Sequence, residues 1–140
     1  MPAQLTRGFL EKVVRGSGWS LSEVESLRLE GESIASLGGS FGGVSRLVFL
    51  SLARNNLTSL KGIEHLSALA TAIFRANRLS SMREIDRLAG LVNLRNLDLR
   101  LNPIMNASPQ QPDSAYGGRI DQRHGPRAAV LKALPRLLNL

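Results

Sequence analysis

Residues 47–57, LVFLSLARNNL, contain the pattern that decides the fold. Leucine stands at the first, fourth, sixth and eleventh positions of this segment and asparagine at the ninth, which is the frame L-x-x-L-x-L-x-x-N-x-L. Three further segments follow the frame, with other apolar residues at some leucine positions: VESLRLEGESI from Val24, LATAIFRANRL from Leu69 and LRNLDLRLNPI from Leu94. The four segments start 23, 22 and 25 residues apart, and such regular spacing indicates a repeat architecture.

The alternating centre of each repeat predicts a short strand, because successive side chains of a strand point to opposite faces. The leucines would face inward and the residues between them outward, and the four strands would form a parallel sheet on the concave side of a solenoid. The ninth-position asparagines, Asn55, Asn77 and Asn102, are predicted to bind backbone groups where the chain leaves each strand. The first repeat has Glu32 at that position. The apolar residues that follow have near-helical spacing, which predicts short helices or 3-10 turns on the convex side.

Two amphipathic segments are predicted to form helices that cover the ends of the repeats, since a solenoid exposes its core there. Residues 1–22 include one helix with Thr6 as N-cap, whose apolar face would be Leu5, Phe9, Leu10, Val13 and Val14. Residues 126–140 begin with Pro126, which suits a first helical turn, and their apolar face would be Val130, Leu131, Leu134, Leu137 and Leu138. Between the repeats (24–104) and this second helix, residues 105–125 are rich in Pro, Gly, Ser and Gln and predict a long loop. The expected fold class is an α/β leucine-rich-repeat solenoid with a helical cap at each end.

Composition limits what the chain can do. Its 140 residues, 43% hydrophobic and 21% charged, suit one folded domain. It has no cysteine, which excludes disulfides, thiolate nucleophiles and cysteine-bound zinc. No apolar run approaches the ~20 residues of a membrane span, and the first residues lack the apolar stretch of a signal peptide. We therefore expect a soluble, intracellular protein that does not interact with membranes.

The net charge of +7 is distributed unevenly. Residues 1–45 sum to about −1 and residues 46–140 to about +8, and 15 of the 18 basic residues are arginine. Such a basic half favours an acidic partner, whether phosphate backbone, acidic lipid or a carboxylate-rich protein surface.

The sequence offers little support for catalysis. His65 and His124 are 59 positions apart and neither has a framing nucleophile or carboxylate motif. The stretch GGSFGG at residues 38–43 lacks the Lys-Ser/Thr of a phosphate-binding loop and predicts a tight turn instead. We predict no catalytic residue, no cofactor site and no metal site.

A binding surface is predicted on the concave side of the sheet. Phe49 and Ile73 occupy outward positions of neighbouring strands with arginines nearby, and an apolar centre with an arginine rim is typical of a protein-binding hot spot. The alternative is that neighbouring side chains or the loop simply cover both apolar residues. The predicted protein-binding residues are Arg28, Phe49, Ser51, Arg54, Ile73, Arg75, Asp98 and Arg100.

The repeats resemble the SDS22-like class of leucine-rich-repeat proteins, and are most similar to the N-terminal domain of the family of the centrosomal protein of 72 kDa and to related centrosomal, ciliary and flagellar members. Residues 37–69, 78–91 and 97–104 carry this resemblance. The C-terminal cap of the class also matches, although Pro126 replaces an expected tyrosine and the preceding loop is longer. The matching residues are Asn102, Pro103, Arg127, Val130, Leu131, Leu134, Pro135, Leu137 and Leu140.

The resemblance implies a non-enzymatic scaffold or adaptor, without a cofactor, at the centrosome, basal body or cilium, in the cytoplasm and cytoskeleton. Its partner would be a protein with an acidic surface, and the chain would be the N-terminal part of a longer protein that oligomerises, if at all, through other segments. Two alternatives stay open: an RNA-associated leucine-rich-repeat protein of the spliceosomal type, favoured by the basic half, and an SDS22-like phosphatase regulator.

Overall fold

A computed structural model describes residues 3–16, 18–106 and 126–140. The elements are, in chain order, β1 (Ala3–Gln4), α1 (Arg7–Arg15), β2 (Ser26–Arg28), β3 (Ile34–Ser36), β4 (Phe49–Ser51), a 3-10 helix (Ile63–His65), β5 (Thr71–Ile73), α2 (Met82–Asp86), β6 (Asn96–Asp98), a second 3-10 helix (Pro103–Asn106) and α3 (Pro126–Ala133). The helices of the described residues include none that could span a membrane.

The four predicted strands form one parallel sheet in the order β2-β4-β5-β6, which is also their order in the chain. The fourth positions of the repeats are in register across the sheet, where Leu27 pairs with Leu50, Leu50 with Ala72 and Ala72 with Leu97. All four are buried, as are the sixth-position residues that follow each strand. This short parallel sheet with helices fits a leucine-rich-repeat solenoid.

The predicted role of the three ninth-position asparagines is confirmed, and we call this row of buried amides the asparagine ladder. Asn77 Nδ2 donates to the carbonyls of Leu52 and Phe74 at 2.9 Å each, and its Oδ1 accepts from Leu57 N–H at 3.0 Å. Asn55 and Asn102 make the equivalent bonds in their repeats. Each buried amide therefore joins its own turn to the preceding repeat, which satisfies backbone groups that the strands leave unpaired.

The first helix begins as predicted, with the Thr6 side chain accepting from Phe9 N–H at 3.1 Å. Leu5, Leu10 and Val14 join the core. The prediction that Val13 lies on the buried face is wrong, because this side chain is 37% exposed.

A second sheet was not predicted. Strand β1 pairs in parallel with β3, and Leu5 N–H extends the pairing to the carbonyl of Ser36 at 2.8 Å. The start of the chain therefore adds a short strand before α1.

The side of the molecule away from the larger sheet contains the expected short elements. The stretch 38–43 forms turns, as predicted, with Phe41 buried and the carbonyl of Gly42 accepting from Arg7 Nη1 at 2.6 Å. In α2 the buried carboxylate of Glu84 accepts from Leu60 N–H and Ser59 Oγ at 2.8 Å each. These bonds connect two successive repeats.

The predicted helical face over residues 126–140 is wrong beyond Ala133, where α3 ends. Val130 and Leu134 are buried, but Leu138 is 76% exposed. The physical reason is that residues 137–140 start a further copy of the repeat frame: Leu138 and Asn139 N–H both donate to the carbonyl of Arg95. Val48 and Phe49 N–H share the carbonyl of Glu25 in the same way, and Asn139 forms a parallel bridge with Asn96.

The prediction that the loop 105–125 begins at Met105 is wrong, because Met105 and Asn106 belong to the second 3-10 helix. The rest of that loop prediction, with His124, lies outside the described residues.

Candidate binding surface

The side of the four-stranded sheet opposite the leucine core carries three rows of side chains, one residue from each repeat in every row. We call the twelve residues of these rows the outer face. The third positions of the repeats are Ser26, Phe49, Thr71 and Asn96, and the fifth positions are Arg28, Ser51, Ile73 and Asp98. The seventh positions, just beyond the strands, are Glu30, Ala53, Arg75 and Arg100.

One cluster on the outer face centres on the aromatic ring of Phe49. The guanidinium carbon of Arg28 lies 4.8 Å from the ring centroid, which is cation–π geometry. Arg28 Nη1 is also 3.5 Å from Glu30 Oε1, and that oxygen accepts from Ser51 Oγ at 2.9 Å. Phe49 is half-buried, so the stack leaves part of the ring accessible.

A second cluster centres on the carboxylate of Asp98. Arg100 donates two hydrogen bonds to it, from Nε to Oδ1 at 3.0 Å and from Nη2 to Oδ2 at 2.8 Å. These hydrogen bonds and the nearby charge of Arg75 hold the pKa of Asp98 below its ordinary value, although partial burial opposes the shift. Asp98 in turn raises the pKa of Arg100. Arg100 is thus a cation whose charge is already paired within its own strand end.

Between the two clusters, the side chains of the outer face are smaller or less polar. Ser51 and Ala53 are buried although they occupy outer-face positions, while Ile73 is half-buried on the next strand. A partner could therefore reach Ile73 and Phe49 directly but Ser51 only after its neighbours move. On the third-position row, Asn96 Nδ2 donates to Thr71 Oγ1 at 3.1 Å, and Asn139 Nδ2 donates to Asn96 Oδ1.

Arg54 lies apart from the outer face. It is exposed and occupies the eighth position of its repeat, with a left-handed backbone at φ 59°. The equivalent residues of the other repeats are also left-handed: Gly31 has φ 67°, Ala76 59° and Leu101 60°. The structure therefore brings seven of the eight predicted binding residues onto the outer face and places Arg54 in the turn after it.

The structure adds contacts that the sequence analysis did not use. Glu30, which is not among the predicted binding residues, interacts with both Arg28 and Ser51. The signal available was opposite charge two positions apart, which Arg28/Glu30 and Asp98/Arg100 share. Within the described part of the chain, no group of His, Asp and Glu residues could hold a metal ion.

Comparison with known proteins gives relatives of one kind. The chain is 44% identical over 85 residues to leucine-rich repeat-containing protein 36 of Homo sapiens, and 40% identical over 88 residues to centrosomal protein of 72 kDa of Mus musculus. Its homologues are leucine-rich-repeat proteins. A third, cilia- and flagella-associated protein 410 of Homo sapiens, is 32% identical over 94 residues. No family model matches the sequence.

These relatives are longer than the chain. The matches cover 59%, 61% and 67% of this sequence but only 11%, 14% and 31% of the three relatives. Two of these relatives are named for the centrosome and for cilia and flagella.

Proposed function

We propose that this chain is a non-catalytic protein-interaction module of a centrosomal, basal-body or ciliary protein, and that it binds its partner through the outer face of the sheet. In this proposal the repeats form a leucine-rich-repeat solenoid whose concave side is the outer face, and α1 and α3 cover its two ends. The chain would act as one part of a longer scaffold or adaptor, since it matches only 11% and 14% of the first two relatives.

The observation that carries the proposal is the composition of the outer face. Phe49 and Ile73 lie half-buried on adjacent strands where a purely solvated sheet would carry polar groups. Arg28, Arg75 and Arg100 are exposed around them. Aromatic residues and arginines are the residue types that contribute most of the energy of protein interfaces, particularly at the centre of the contact.

The end-covering role of the helices is supported by burial. Leu10 and Val14 of α1 and Val130 of α3 belong to the same core as the repeat leucines. Without these helices, the first and last repeats would expose apolar side chains to water, at a cost of ~25 cal/mol per Å².

The test is capture of partners from an extract of ciliated cells by the immobilised chain, with quantitative mass spectrometry. Phe49→Ala removes the proposed aromatic anchor, and Trp19→Ala is a matched control because Trp19 is 55% exposed but lies outside the outer face. We expect centrosomal or ciliary proteins that wild type and Trp19→Ala retain and Phe49→Ala loses. If Phe49→Ala, shown by circular dichroism to be folded, recovers the same proteins at the same yield, the proposed surface is wrong.

The net charge of +7 also suits an RNA partner, and salt separates the two cases. A complex that depends on phosphates weakens steeply with ionic strength, with a log–log slope set by the number of phosphates neutralised. We expect a shallow slope for the captured complex. A steep slope together with nuclease sensitivity would favour the RNA-associated alternative.

A further inference from the structure

The fifth and seventh positions of the repeats form four side-by-side pairs on the outer face. A residue pair two positions apart points to the same side of a strand, so its members are close neighbours. The four pairs are, from the first repeat to the last, Arg28/Glu30, Ser51/Ala53, Ile73/Arg75 and Asp98/Arg100.

The pairs of the first and last repeats each combine one arginine with one carboxylate, so each pair has no net charge. Arg28 and Glu30 lie 3.5 Å apart, and Asp98 and Arg100 form a bidentate ion pair. Each of these arginines would have to give up a carboxylate of its own strand before it could bind one from a partner, which reduces the gain from such binding.

In the third repeat, by contrast, the arginine has no carboxylate in its pair. Arg75 is exposed and its pair member is Ile73, which is uncharged. Among the described residues, no ion pair or side-chain hydrogen bond involves the Arg75 guanidinium. Arg75 lies near enough to Asp98 to influence its pKa, but Arg100 already binds both oxygens of that carboxylate. On its other side lies Ala53, a small residue on the neighbouring strand end.

We propose that Arg75 binds a carboxylate of a protein partner and that Ile73, beside it, contacts an apolar side chain of the same segment. The proposal rests on the outer face being the binding surface and names the partner's chemistry: an Asp or Glu within about two residues of a Leu, Ile or Phe. Arginine suits this role because its planar guanidinium can form two parallel hydrogen bonds to one carboxylate.

The charges around Arg75 favour a carboxylate in a protein segment over a phosphate backbone. The fifth and seventh positions of the outer face carry three arginines and two carboxylates, and Glu30 and Asp98 would repel a chain of phosphates laid along the sheet. A single carboxylate next to an apolar residue needs only one uncompensated cation. Arg75 and Ile73 provide that combination on adjacent positions of one strand end.

The experiment selects binders from a phage-displayed library of random 12-residue peptides on the whole chain and measures their affinity by fluorescence anisotropy. The variants are Arg75→Gln and, as a matched control, Arg83→Gln, because Arg83 is an exposed arginine of α2 whose side chain makes no ion pair with the described residues. We expect peptides with an acidic residue close to an apolar one. Arg75→Gln should weaken them about tenfold, and Arg83→Gln by less than twofold.

Replacing the acidic residue of a selected peptide by its amide should remove most of the difference between wild type and Arg75→Gln, which is the signature of a direct contact. Selected peptides without acidic residues, equal effects of the two arginine variants, or no binders at all would overturn the inference. If Phe49→Ala weakens the peptides while Arg75→Gln does not, the binding surface stands and only the carboxylate contact fails. If neither variant weakens them, the proposed function fails as well.

Discussion

At the scale of single residues, the asparagines contribute more to the fold than their polar character suggests. Asn77 is 6% exposed, and its amide group forms hydrogen bonds with four backbone groups in two repeats. Because a buried backbone group without a partner costs about 1–3 kcal/mol, the loss of this side chain affects several groups at once.

Asn77→Ala should therefore lower the free energy of unfolding by about 2–4 kcal/mol. Asn56→Ala is the matched control, since the Asn56 side chain makes no hydrogen bond with the described residues and its loss should cost less than about 0.5 kcal/mol. Urea denaturation of both variants measures the difference. Equal costs would mean that the ladder does not stabilise the repeats.

The eighth position of each repeat requires a left-handed backbone, which the sequence analysis did not detect because four different residues occupy it. Gly31→Ala should destabilise the chain by about 1 kcal/mol, since a Cβ at this φ of 67° is strained even though it meets nothing within 4 Å. Gly90 is equally open but is not among the glycines with positive φ, so Gly90→Ala should be neutral or stabilising by about 0.4–1 kcal/mol. Thermal unfolding of the two variants measures these effects. A loss of stability in Gly90→Ala alone would contradict the claim that Gly31 is the position that needs a left-handed backbone.

At the scale of elements, helix α1 shows which part of an amphipathic pattern the fold uses. Leu10 is fully buried and Val13 is 37% exposed, although both fit the predicted apolar face. Leu10→Ala should cost about 2–5 kcal/mol, and Val13→Ala less than about 1 kcal/mol. Chemical denaturation measures both, and comparable losses would mean that α1 packs with a different face.

The element α2 carries a carboxylate whose stabilising effect depends on pH. Burial tends to raise the pKa of Glu84, but hydrogen bonds from Leu60 N–H, Ser59 Oγ and Arg87 outweigh it and lower the pKa below 4.5. A lowered folded-state pKa means that the stabilisation is present above the unfolded pKa and is lost as the pH falls through the folded one.

Glu84→Gln should accordingly destabilise the chain at pH 7 and show a smaller further loss than wild type when the pH is lowered from about 5 to below 4. Asp86→Asn on the same helix is the control, because the Asp86 side chain makes no hydrogen bond or ion pair with the described residues. Urea midpoints across this pH range provide the test. Parallel pH profiles for wild type and Glu84→Gln would show that the carboxylate is not stabilising.

The elements also show how far the sequence could lead. The strands, their order and the Thr6 N-cap follow from local periodicity and capping chemistry, which the sequence contains in full. Strand β1 could not be predicted in this way, because two residues have no detectable period and their pairing with β3 is a contact between distant parts of the chain. The turn to strand-like backbone after Ala133 was missed for a related reason: Leu137 and Leu138 fit a helical face as well as they fit the start of a repeat.

At the scale of the whole molecule, the net charge of the chain differs from that of the outer face. The chain carries +7, but the outer face has a net charge of only about +1, since Glu30 and Asp98 offset two of its three arginines. Most of the positive charge therefore lies elsewhere on the chain. The sequence identifies which residues face outward, and opposite charges two positions apart indicate these two pairs. The distances within each pair, and the bidentate contact of Arg100 with Asp98, depend on side-chain conformation and could not be predicted.

The central claim is that a protein partner contacts the outer face of the sheet, and site-specific photo-crosslinking tests it most directly. A photoreactive phenylalanine analogue placed at residue 49 or 73 reports on the outer face, and the same analogue at the exposed residues 61 or 83 reports on the side away from the sheet. After irradiation in an extract of ciliated cells, we predict a shared cross-linked protein at residues 49 and 73 and none at residues 61 and 83. Cross-links at 61 or 83 with none at 49 and 73 would contradict the account.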